Sequence, residues 1–332
     1  MLSLPTINGQ SHGFAMNKMS WLFWLFVSLT SVINVRAETF SFVALGDMPY
    51  GSDDTAGAKY RALIAQINEL NPEFSIHVGD FKAGSARCSD EEFARQRKHF
   101  DLFKGAVIYT PGDNDWTDCG RRSNGSYDPL ERLTTLRAQF FKPTMSLGQT
   151  PLSLVTQAKV MPDFSTYIEN QRWRFANTLF STLHIVGSDN RFAPNNVDAE
   201  KEFVAREQAN IAWIKETFRV AENQNVHTLV FAFQADVPRV MSRSGALAET
   251  TGYHGTIEKT FIPLAKGFKG SVLVVHGDSH TFKFDQPFIF GSQVLKNVFR
   301  LEVPGASTTA AVNVTIEEGN TRPFSVKDIS LP

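Results

Sequence analysis

The sequence has few cysteines, almost no net charge, and no hydrophobic run of the length that a membrane-spanning helix usually needs. It is 332 residues long with two cysteines, so a fold held together mainly by disulfides is excluded. Lysine and arginine number 33 and aspartate and glutamate 34, a balance that argues against nucleic acid backbone binding. The 28 phenylalanines are enough for a large core. Any metal ion would therefore serve chemistry rather than hold the fold together.

The amino terminus is typical of a targeting segment. Residues 21–35 form an uncharged, largely apolar run, shorter than the roughly 20 residues that span a bilayer as a helix. Lys18 precedes this run, and Val35 and Ala37 are the small residues that a signal peptidase recognises. We predict a signal peptide over 1–37 and a secreted or periplasmic protein without a stable membrane span after cleavage. An uncleaved anchor is the alternative.

The remainder, residues 38–332, shows no repeat, low-complexity tract or linker, so we expect a single domain. Runs rich in Val, Ile and Phe alternate with helical stretches, which favours an α/β fold built from βαβ units. Helices are predicted over 55–70, 89–104 and 198–218. A second, more antiparallel sheet is predicted from Arg172 onward, and 297–303 and 311–316 have the pattern of paired strands.

Four predicted strands end in the dipeptide Gly-Asp. These dipeptides are Gly46-Asp47, Gly79-Asp80, Gly112-Asp113 and Gly277-Asp278. The first three aspartates are 33 residues apart, which is the length of a strand, a crossover helix and a turn. Parallel strands bring their carboxyl ends to one edge of a sheet, so the four carboxylates should converge. Because like charges repel unless protons or cations intervene, the pattern indicates a metal site rather than four unrelated turns.

Two further residues are predicted at the same site. His280 follows Asp278 by two residues, so an imidazole and a carboxylate can reach one edge. Gln234 follows the predicted strand over 228–233 and offers an amide oxygen as a ligand. A hydrogen-bonded polar residue at a strand end is the alternative for Gln234.

Both cysteines follow Gly-Asp motifs. Cys88 comes after Gly79-Asp80 and Cys119 after Gly112-Asp113, so both should lie in loops at one edge of the same sheet. An even number of cysteines in an exported protein favours a disulfide. We predict a bridge between Cys88 and Cys119, with two free thiols as the alternative.

These motifs resemble the signature of the calcineurin-like metallophosphoesterases, which runs DxH, GDxxxxG, GNH(D/E), a single His after a strand, and GHxH. The matching stretches are GDMPY at 46–50, GDFKAG at 79–84, GDND at 112–115, FQADVP at 233–238 and GDSH at 277–280. They extend over nearly all of the chain after the targeting segment, and only GDxxxxG matches completely. The resemblance implies a four-layer αββα sandwich of the metallo-dependent phosphatase type.

The resemblance also implies roles for individual residues. Asp80 corresponds to the carboxylate that bridges two metal ions, and Asp47 and His280 correspond to ligands of the first ion. The ligands of the second ion fall at Asp113, Gln234 and Asp278. A shift of the alignment by one residue makes Asn114 the ligand in place of Asp113, so both are candidate metal ligands.

The chain departs from the family signature at four histidines. Pro49 replaces the histidine of the first motif, and Asn114 stands where the family has the histidine thought to assist the leaving group. Gln234 and Asp278 replace two more histidines but keep an oxygen donor. Oxygen-rich ligation moves the preference away from Zn. We expect two divalent ions, Mn or Fe first, with Mg, Ca and Zn as further candidates.

The function implied by the resemblance is that of an exported phosphoester hydrolase, a phosphatase or phosphodiesterase acting on small molecules through a metal-bound hydroxide. The predicted catalytic residues are Asn114 and His254; the histidine, in the segment GYHG, would donate the leaving-group proton. An exposed loop residue is the alternative for His254, as it is for the adjacent pair Arg121 and Arg122, which could instead contact phosphate. The lost histidines support a second hypothesis, a catalytically weak or inactive binding module.

Overall fold

The structure is a computed structural model that describes residues 38–331. The predicted signal peptide over 1–37 lies outside the described residues. Within 38–331, no helix is both long and apolar enough to cross a membrane.

Fifteen strands form within this range. They are β1 Thr39–Leu45, β2 Phe74–His77, β3 Ala106–Tyr109, β4 Leu147–Gly148, β5 Val155–Thr156, β6 Gln171–Phe175, β7 Thr178–Thr182, β8 Thr228–Ala232, β9 Ser271–His276, β10 Lys283–Asp285, β11 Ile289–Phe290, β12 Gln293–Val294, β13 Val298–Glu302, β14 Ala310–Glu317 and β15 Phe324–Ser330. The α-helices are α1 Ala58–Leu70, α2 Asp90–Phe100, α3 Pro129–Phe140, α4 Gln157–Val160, α5 Gly187–Asn190, α6 Val197–Asn223, α7 Val237–Val240 and α8 Ile262–Gly267. Short 3₁₀ or π turns occupy Asp53–Gly57, Thr117–Gly120, Arg122–Asn124, Pro162–Phe164 and His254–Phe261.

Two mixed sheets contain most of the strands. The first sheet has the order β15-β14-β1-β2-β3-β4, with β1, β2 and β3 parallel. The second has the order β10-β13-β9-β8-β7-β6-β5, with β13, β9, β8 and β7 parallel. Strands β11 and β12 form a separate hairpin. The predicted α/β class with parallel strand cores is therefore confirmed.

The alternation of side chains along β1 shows how the layers form. Phe42 points between the two sheets, where its ring meets Phe180 of β7 edge to face. Val43 and Leu45 belong instead to the cluster that packs against α1, α2 and α3. A third cluster joins the outer face of the second sheet to α6 and α8. The order of layers is helices, sheet, sheet, helices, which confirms the predicted αββα sandwich.

The predicted helices are present with shifted ends. A wide turn over Asp53–Gly57 precedes α1, so the regular helix begins three residues later than predicted. The Ser89 hydroxyl caps α2 by accepting a hydrogen bond from the backbone N–H of Glu92. Helix α6 extends to Asn223, five residues past its predicted end.

Three predictions of strand pairing were wrong. The strands predicted over 297–303 and 311–316 do not pair with each other, because β13 pairs with β9 and β14 pairs with β1. Between them the chain crosses from one sheet to the other, which a local turn signal at Pro304 and Gly305 does not reveal. The second sheet is antiparallel only at its margins. Strand β9, with its Gly-Asp end, belongs to this second sheet and not to the sheet of β1, β2 and β3.

The Cys88–Cys119 disulfide is present, as predicted, with the two Cα atoms 5.6 Å apart. Both residues are fully buried. The bridge links the loop after β2 to the 3₁₀ turn after β3, and these two loops carry Asp80 and Asp113 at their beginnings. It therefore ties together two of the segments that position the carboxylates.

Replacing both cysteines by alanine should lower the free energy of unfolding by about 3–4 kcal/mol, because the bridge closes a loop with a sequence separation of 31 residues. Urea unfolding of the oxidised protein and of the Cys88→Ala, Cys119→Ala variant measures the difference. Two free thiols in the denatured, unreduced parent would contradict the assignment, as would equal stability of the two proteins.

Candidate metal centre

Four aspartates meet at the carboxyl ends of strands from both sheets. Asp47, Asp80 and Asp113 follow β1, β2 and β3, and Asp278 follows β9. The first three residues are at most 6% exposed. Asp47, Asp80 and Asp278 have left-handed backbone conformations, with φ of 53°, 56° and 76°. Such conformations are unfavourable for residues other than glycine and cluster at functional sites. The aspartates therefore converge across the sandwich rather than along the edge of one sheet.

Asp47 and His280 form one pair of candidate ligands. The imidazole Nε2 of His280 lies 3.5 Å from Oδ1 of Asp47. Burial raises the pKa of Asp47 to about 7, although the hydrogen bond from His280 acts in the opposite direction. The same contact raises the pKa of His280, whose side chain is 34% exposed. The pair can hold a proton or a cation between its two side chains, and it reaches solvent through His280.

Gln234 lies in the middle of the cluster with its amide nitrogen facing the carboxylates. Nε2 is 3.2 Å from Oδ2 of Asp80, 3.1 Å from Oδ1 of Asp113 and 3.3 Å from Oδ1 of Asp278. The amide oxygen accepts a hydrogen bond from the backbone N–H of Gly187 at 2.5 Å. A backbone N–H can only donate, so this contact fixes the orientation of the amide. We expected the amide oxygen of Gln234 to face the site as a ligand, but it points to Gly187 instead.

Asp80 is the most heavily hydrogen-bonded of the four aspartates. Its Oδ1 accepts from the backbone N–H of Asn114 at 3.0 Å. Its Oδ2 accepts from the Asn114 amide at 2.7 Å and from the Tyr50 hydroxyl at 3.1 Å, in addition to Gln234. Burial raises the pKa of Asp80 well above its usual value, and the negative charges of the surrounding carboxylates, Asp113 foremost, raise it further. Asn114 therefore acts as a donor to Asp80 in this structure, through both its backbone and its side chain.

Tyr50 and Asp115 belong to the site and were not among the predicted residues. The carboxylate of Asp115 accepts hydrogen bonds from the backbone N–H groups of Asp80 at 2.8 Å, Phe81 at 3.0 Å and Gly112 at 2.8 Å. It thereby fastens the end of β2 to the end of β3. The final Asp of GDND was the available signal for Asp115. No signal in the sequence marked Tyr50 beyond its place in the stretch GDMPY.

The segment α5, Gly187–Asn190, is not a regular helix, because it forms a left-handed turn against the cluster. Ser188, Asp189, Asn190 and Arg191 have φ between 51° and 58°. The Ser188 hydroxyl donates to Oδ2 of Asp113 at 2.6 Å. Just before the turn, a Cβ added to Gly187 would lie 2.6 Å from Oδ1 of Asp278 and 3.0 Å from the Asp113 carboxylate. The absence of a side chain at Gly187 is therefore what allows the two carboxylates to approach this backbone.

Arg121 lies at the rim of the cluster, and His254 lies away from the aspartates. The Arg121 guanidinium is 2.5 Å from the Asp118 carboxylate and 3.4 Å from the Ser188 hydroxyl, and its side chain is 52% exposed. Nδ1 of His254 faces the carbonyl oxygen of Leu247 at 3.3 Å and the carboxylate of Glu258 at 3.7 Å. Arg121 is thus paired with Asp118 beside the cluster, and the structure does not bring His254 to the predicted ligands.

A second group of ligand-type side chains lies beside the cluster. In the part of the chain that the structure describes, Asp236, His276 and Glu302 are the three such residues whose donor atoms all lie within 4.8 Å of one another. Arg300 is 3.6 Å from Asp236, and Lys283 is 2.6 Å from Glu302. These cations offset the negative charge of the carboxylates, while Oδ1 of Asp236 and Nε2 of His276 are buried without a hydrogen-bond partner among the described residues.

Asp47, Asp80, Asp113 and Asp278 form what we call the Gly-Asp cluster. Its donor atoms suit divalent cations that prefer oxygen ligands. Asp47 and His280 form one pair, Asp113 and Asp278 meet around the Gln234 amide, and Asp80 interacts with both sets. Burial and neighbouring negative charge raise the pKa of Asp278 to about 6, as expected where carboxylates crowd together without a cation. Carboxylate oxygens and one imidazole are donors that divalent cations accept, and the identity of the ions stays a prediction.

No protein-family model matches the sequence, and no curated protein sequence matches it. Solved structures do match. A dimetal phosphatase from Danio rerio is 10% identical, with a TM-score of 0.53 over 88% of this chain and 96% of that chain. A purple acid phosphatase from yellow lupin seeds is 12% identical, with a TM-score of 0.48 over 89% of this chain and 54% of that chain. A 5'-nucleotidase from Candida albicans is 9% identical, with a TM-score of 0.42 over 90% and 53%.

The match to the dimetal phosphatase extends over nearly the whole of both chains. At this level of identity it shows a common fold, and the two mixed sheets with flanking helices agree with it. The chain therefore has the fold of the metallo-dependent phosphatases, as its sequence motifs predicted.

Proposed function

We propose that this chain is an exported, metal-dependent phosphoester hydrolase that uses two divalent ions, Mn or Fe in the first place, at the Gly-Asp cluster. The observation that carries the proposal is the convergence of Asp47, Asp80, Asp113 and Asp278 in one largely buried place. Such a concentration of carboxylates requires cations or protons. The likeness in fold to a dimetal phosphatase supports phosphoester hydrolysis as the chemistry.

The proposed ligands fall into two sets around one shared carboxylate. Asp47 and His280 would hold the first ion, Asp113 and Asp278 the second, and Asp80 both. Bound ions lower the pKa of a coordinated water and stabilise negative charge on phosphoryl oxygens. The Gln234 amide nitrogen occupies the space between three of these carboxylates, so we expect this side chain to rotate when the site is loaded.

Residues at the rim of the site would bind and orient the substrate. His280 and Arg121 are partly exposed, with side chains 34% and 52% exposed, and the neighbouring Ser188 is exposed as well, so the substrate would enter from their side. The Arg121 guanidinium can bind two phosphate oxygens at once. The Ser188 hydroxyl lies between Arg121 and Asp113, and it could bind a third oxygen once its hydrogen turns away from Asp113. A small-molecule phosphoester suits this arrangement, because these donors are few and close together.

A binding protein without efficient catalysis is the second candidate function. Oδ2 of Asp80 already accepts three hydrogen bonds from protein donors, which leaves no lone pair for a cation unless a donor moves. Asn114 also takes the place of the histidine that assists the leaving group in related signatures. These two observations favour a site that binds phosphate groups and turns them over slowly or not at all.

Export is the remaining part of the proposal. The buried Cys88–Cys119 bridge supports it, because structural disulfides persist mainly in oxidising compartments. The targeting segment proposed over 1–37 has the composition that export requires.

Asp80→Asn should lower kcat/KM for phosphoester hydrolysis by at least about a hundredfold, because the shared carboxylate would no longer hold both ions. The assay compares aryl phosphate monoester and diester substrates with Mn, Fe, Mg, Ca and Zn in turn. Asp101→Asn is the matched control, because it makes the same chemical change at an exposed carboxylate, and it should retain full activity. Activity of the parent without metal, or full activity of Asp80→Asn, would rule out the proposed mechanism.

Gly187→Ala should weaken Mn binding about 10–100-fold, because the new methyl group would displace the carboxylates of Asp113 and Asp278. Isothermal titration calorimetry of the metal-free protein with Mn measures the affinity. Gly267→Ala is the control, since a Cβ at that position has no neighbouring atom within 4 Å. Equal affinities of the two variants would show that Asp113 and Asp278 hold no ion.

A further inference from the structure

Three ligand-type side chains lie side by side at the carboxyl ends of neighbouring strands in the second sheet. His276 ends β9, Glu302 ends β13, and the two residues are directly opposite each other in the parallel pairing of these strands. Asp236 follows β8, the strand on the other side of β9. All three residues are at most 4% exposed, and one donor atom from each lies within 4.8 Å of the other two. The sheet therefore brings an imidazole and two carboxylates together in a group that the proposed hydrolase function does not use.

The hydrogen bond of the His276 ring determines which of its nitrogen atoms presents a lone pair to the carboxylates. Nδ1 lies 3.0 Å from the carbonyl oxygen of Gly277. A carbonyl oxygen only accepts hydrogen bonds, so Nδ1 carries the hydrogen of the neutral ring and Nε2 is an acceptor. Nε2 faces Oδ1 of Asp236 at a distance of 3.8 Å. Histidines that bind metals in proteins are commonly oriented in this way, through a backbone carbonyl bound to the other ring nitrogen.

The two facing atoms lack a hydrogen-bond donor. Nε2 of His276 and Oδ1 of Asp236 are both buried, and neither has a hydrogen-bond partner within residues 38–331. Arg300 does not supply one, because its Nε and Nη2 donate to Asp285 at 2.7 and 2.5 Å. Its Nη1 is 3.6 Å from Oδ1 of Asp236, which is too far for a hydrogen bond. Buried acceptors without a partner are unfavourable, so the space between these two atoms suits a cation.

The surroundings orient the two carboxylates and leave a route to them. Oδ2 of Asp236 accepts a hydrogen bond from the Ser279 hydroxyl at 2.5 Å, and Oε1 of Glu302 accepts one from the backbone N–H of Thr281 at 3.0 Å. The Lys283 amine is 2.6 Å from Oε2 of Glu302, and its side chain is 37% exposed, so it can turn into solvent when an ion takes its place. A cavity of about 530 Å³, lined by Asp236 and Lys283 among others, gives an ion access to the group.

We propose that Asp236, His276 and Glu302 bind a Zn ion, separate from the two ions at the Gly-Asp cluster. Imidazole nitrogen and carboxylate oxygen are ligands that Zn uses, and a water molecule would complete four-coordination. Two ligands of a tetrahedral Zn ion are about 3.4 Å apart, so Nε2 of His276 and Oδ1 of Asp236 need only a small shift. Glu302 closes the remaining gap once Lys283 releases it. The nitrogen donor distinguishes this site from the four aspartates, whose oxygen atoms favour harder cations.

The Zn ion would fasten the segment that carries Asp278 and His280. The backbone N–H of Asp236 donates to Oδ2 of Asp278 at 3.1 Å, and the Ser279 hydroxyl donates to Asp236. A ligand of the Zn site is therefore bonded directly to this segment. Because Zn binding needs no phosphoester, the inference stands or falls independently of the proposed hydrolase function.

X-ray diffraction from crystals soaked with Zn tests the site directly, with data collected above and below the Zn absorption edge. We expect a Zn peak about 2.0–2.2 Å from a donor atom of each of Asp236, His276 and Glu302. An ordered water molecule in that place, or Zn confined to the Gly-Asp cluster, would overturn the proposal.

Isothermal titration calorimetry of the metal-free proteins with Zn tests the same site in solution. His276→Gln should lose one equivalent of bound Zn relative to the parent. Lys283→Gln should keep that equivalent and bind it about two- to fivefold more tightly, because a cation that competes for Glu302 is removed. His227→Gln makes the same change at an exposed histidine and should titrate like the parent.

The Lys283→Gln variant keeps the proposal testable if His276→Gln does not fold. A purely structural role for the group predicts no gain in Zn affinity when Lys283 is replaced. Unchanged or weaker Zn binding by Lys283→Gln would therefore contradict the proposal, as would equal Zn stoichiometry of folded His276→Gln and the parent.

Discussion

Repulsion among buried carboxylates is the constraint on which the rest of the structure depends. Asp80 is almost fully buried, and the charges of Asp113, Asp115, Asp47 and Asp278 all act on it. Removing even one carboxylate from water is costly, and placing several together raises the free energy further unless protons or cations balance the charge. The groups around such a cluster must therefore stabilise it, and this requirement explains the arrangement of the residues that surround the site.

Hydrogen-bond donors, left-handed backbone conformations and the packing of the sandwich together hold the buried carboxylates in place. Asp115 fastens the ends of two parallel strands through backbone N–H groups, and a disulfide ties the following loops. Asp47 and Asp80 adopt left-handed conformations that only strong packing sustains. Three apolar clusters, one between the sheets and one on each outer face, supply that packing. The amides of Asn114 and Gln234 then donate to carboxylate oxygens that a cation would otherwise contact.

The sequence predicted the features that repeat or that are local. Gly-Asp at the ends of four strands, at equal spacing for three of them, was sufficient to locate the carboxylates, and the positions of Cys88 and Cys119 were sufficient to predict their bridge. The pairing of β13 and β14 was not predictable in this way, because each strand pairs with one far away in sequence and the turn between them is compatible with a hairpin.

The orientations of the side chains in the site depend on contacts between residues far apart in the sequence, which local sequence patterns do not reveal. The Gln234 amide is oriented by the backbone of Gly187, which lies 47 residues earlier in the chain. Tyr50 reaches Asp80 and Asn114 from a different strand end, without any periodicity to mark it. Asn114, which replaces a histidine of the related signature, here donates a hydrogen bond to the hydroxyl group of Tyr50.

The most direct test of the central claim is anomalous X-ray diffraction from crystals of the Mn-loaded protein. We expect two Mn peaks about 4 Å apart that share the Asp80 carboxylate. One should lie beside Asp47 and His280, and the other beside Asp113 and Asp278. Crystals of folded protein with no Mn peak at these aspartates, or with Mn only at Asp236, His276 and Glu302, would contradict it.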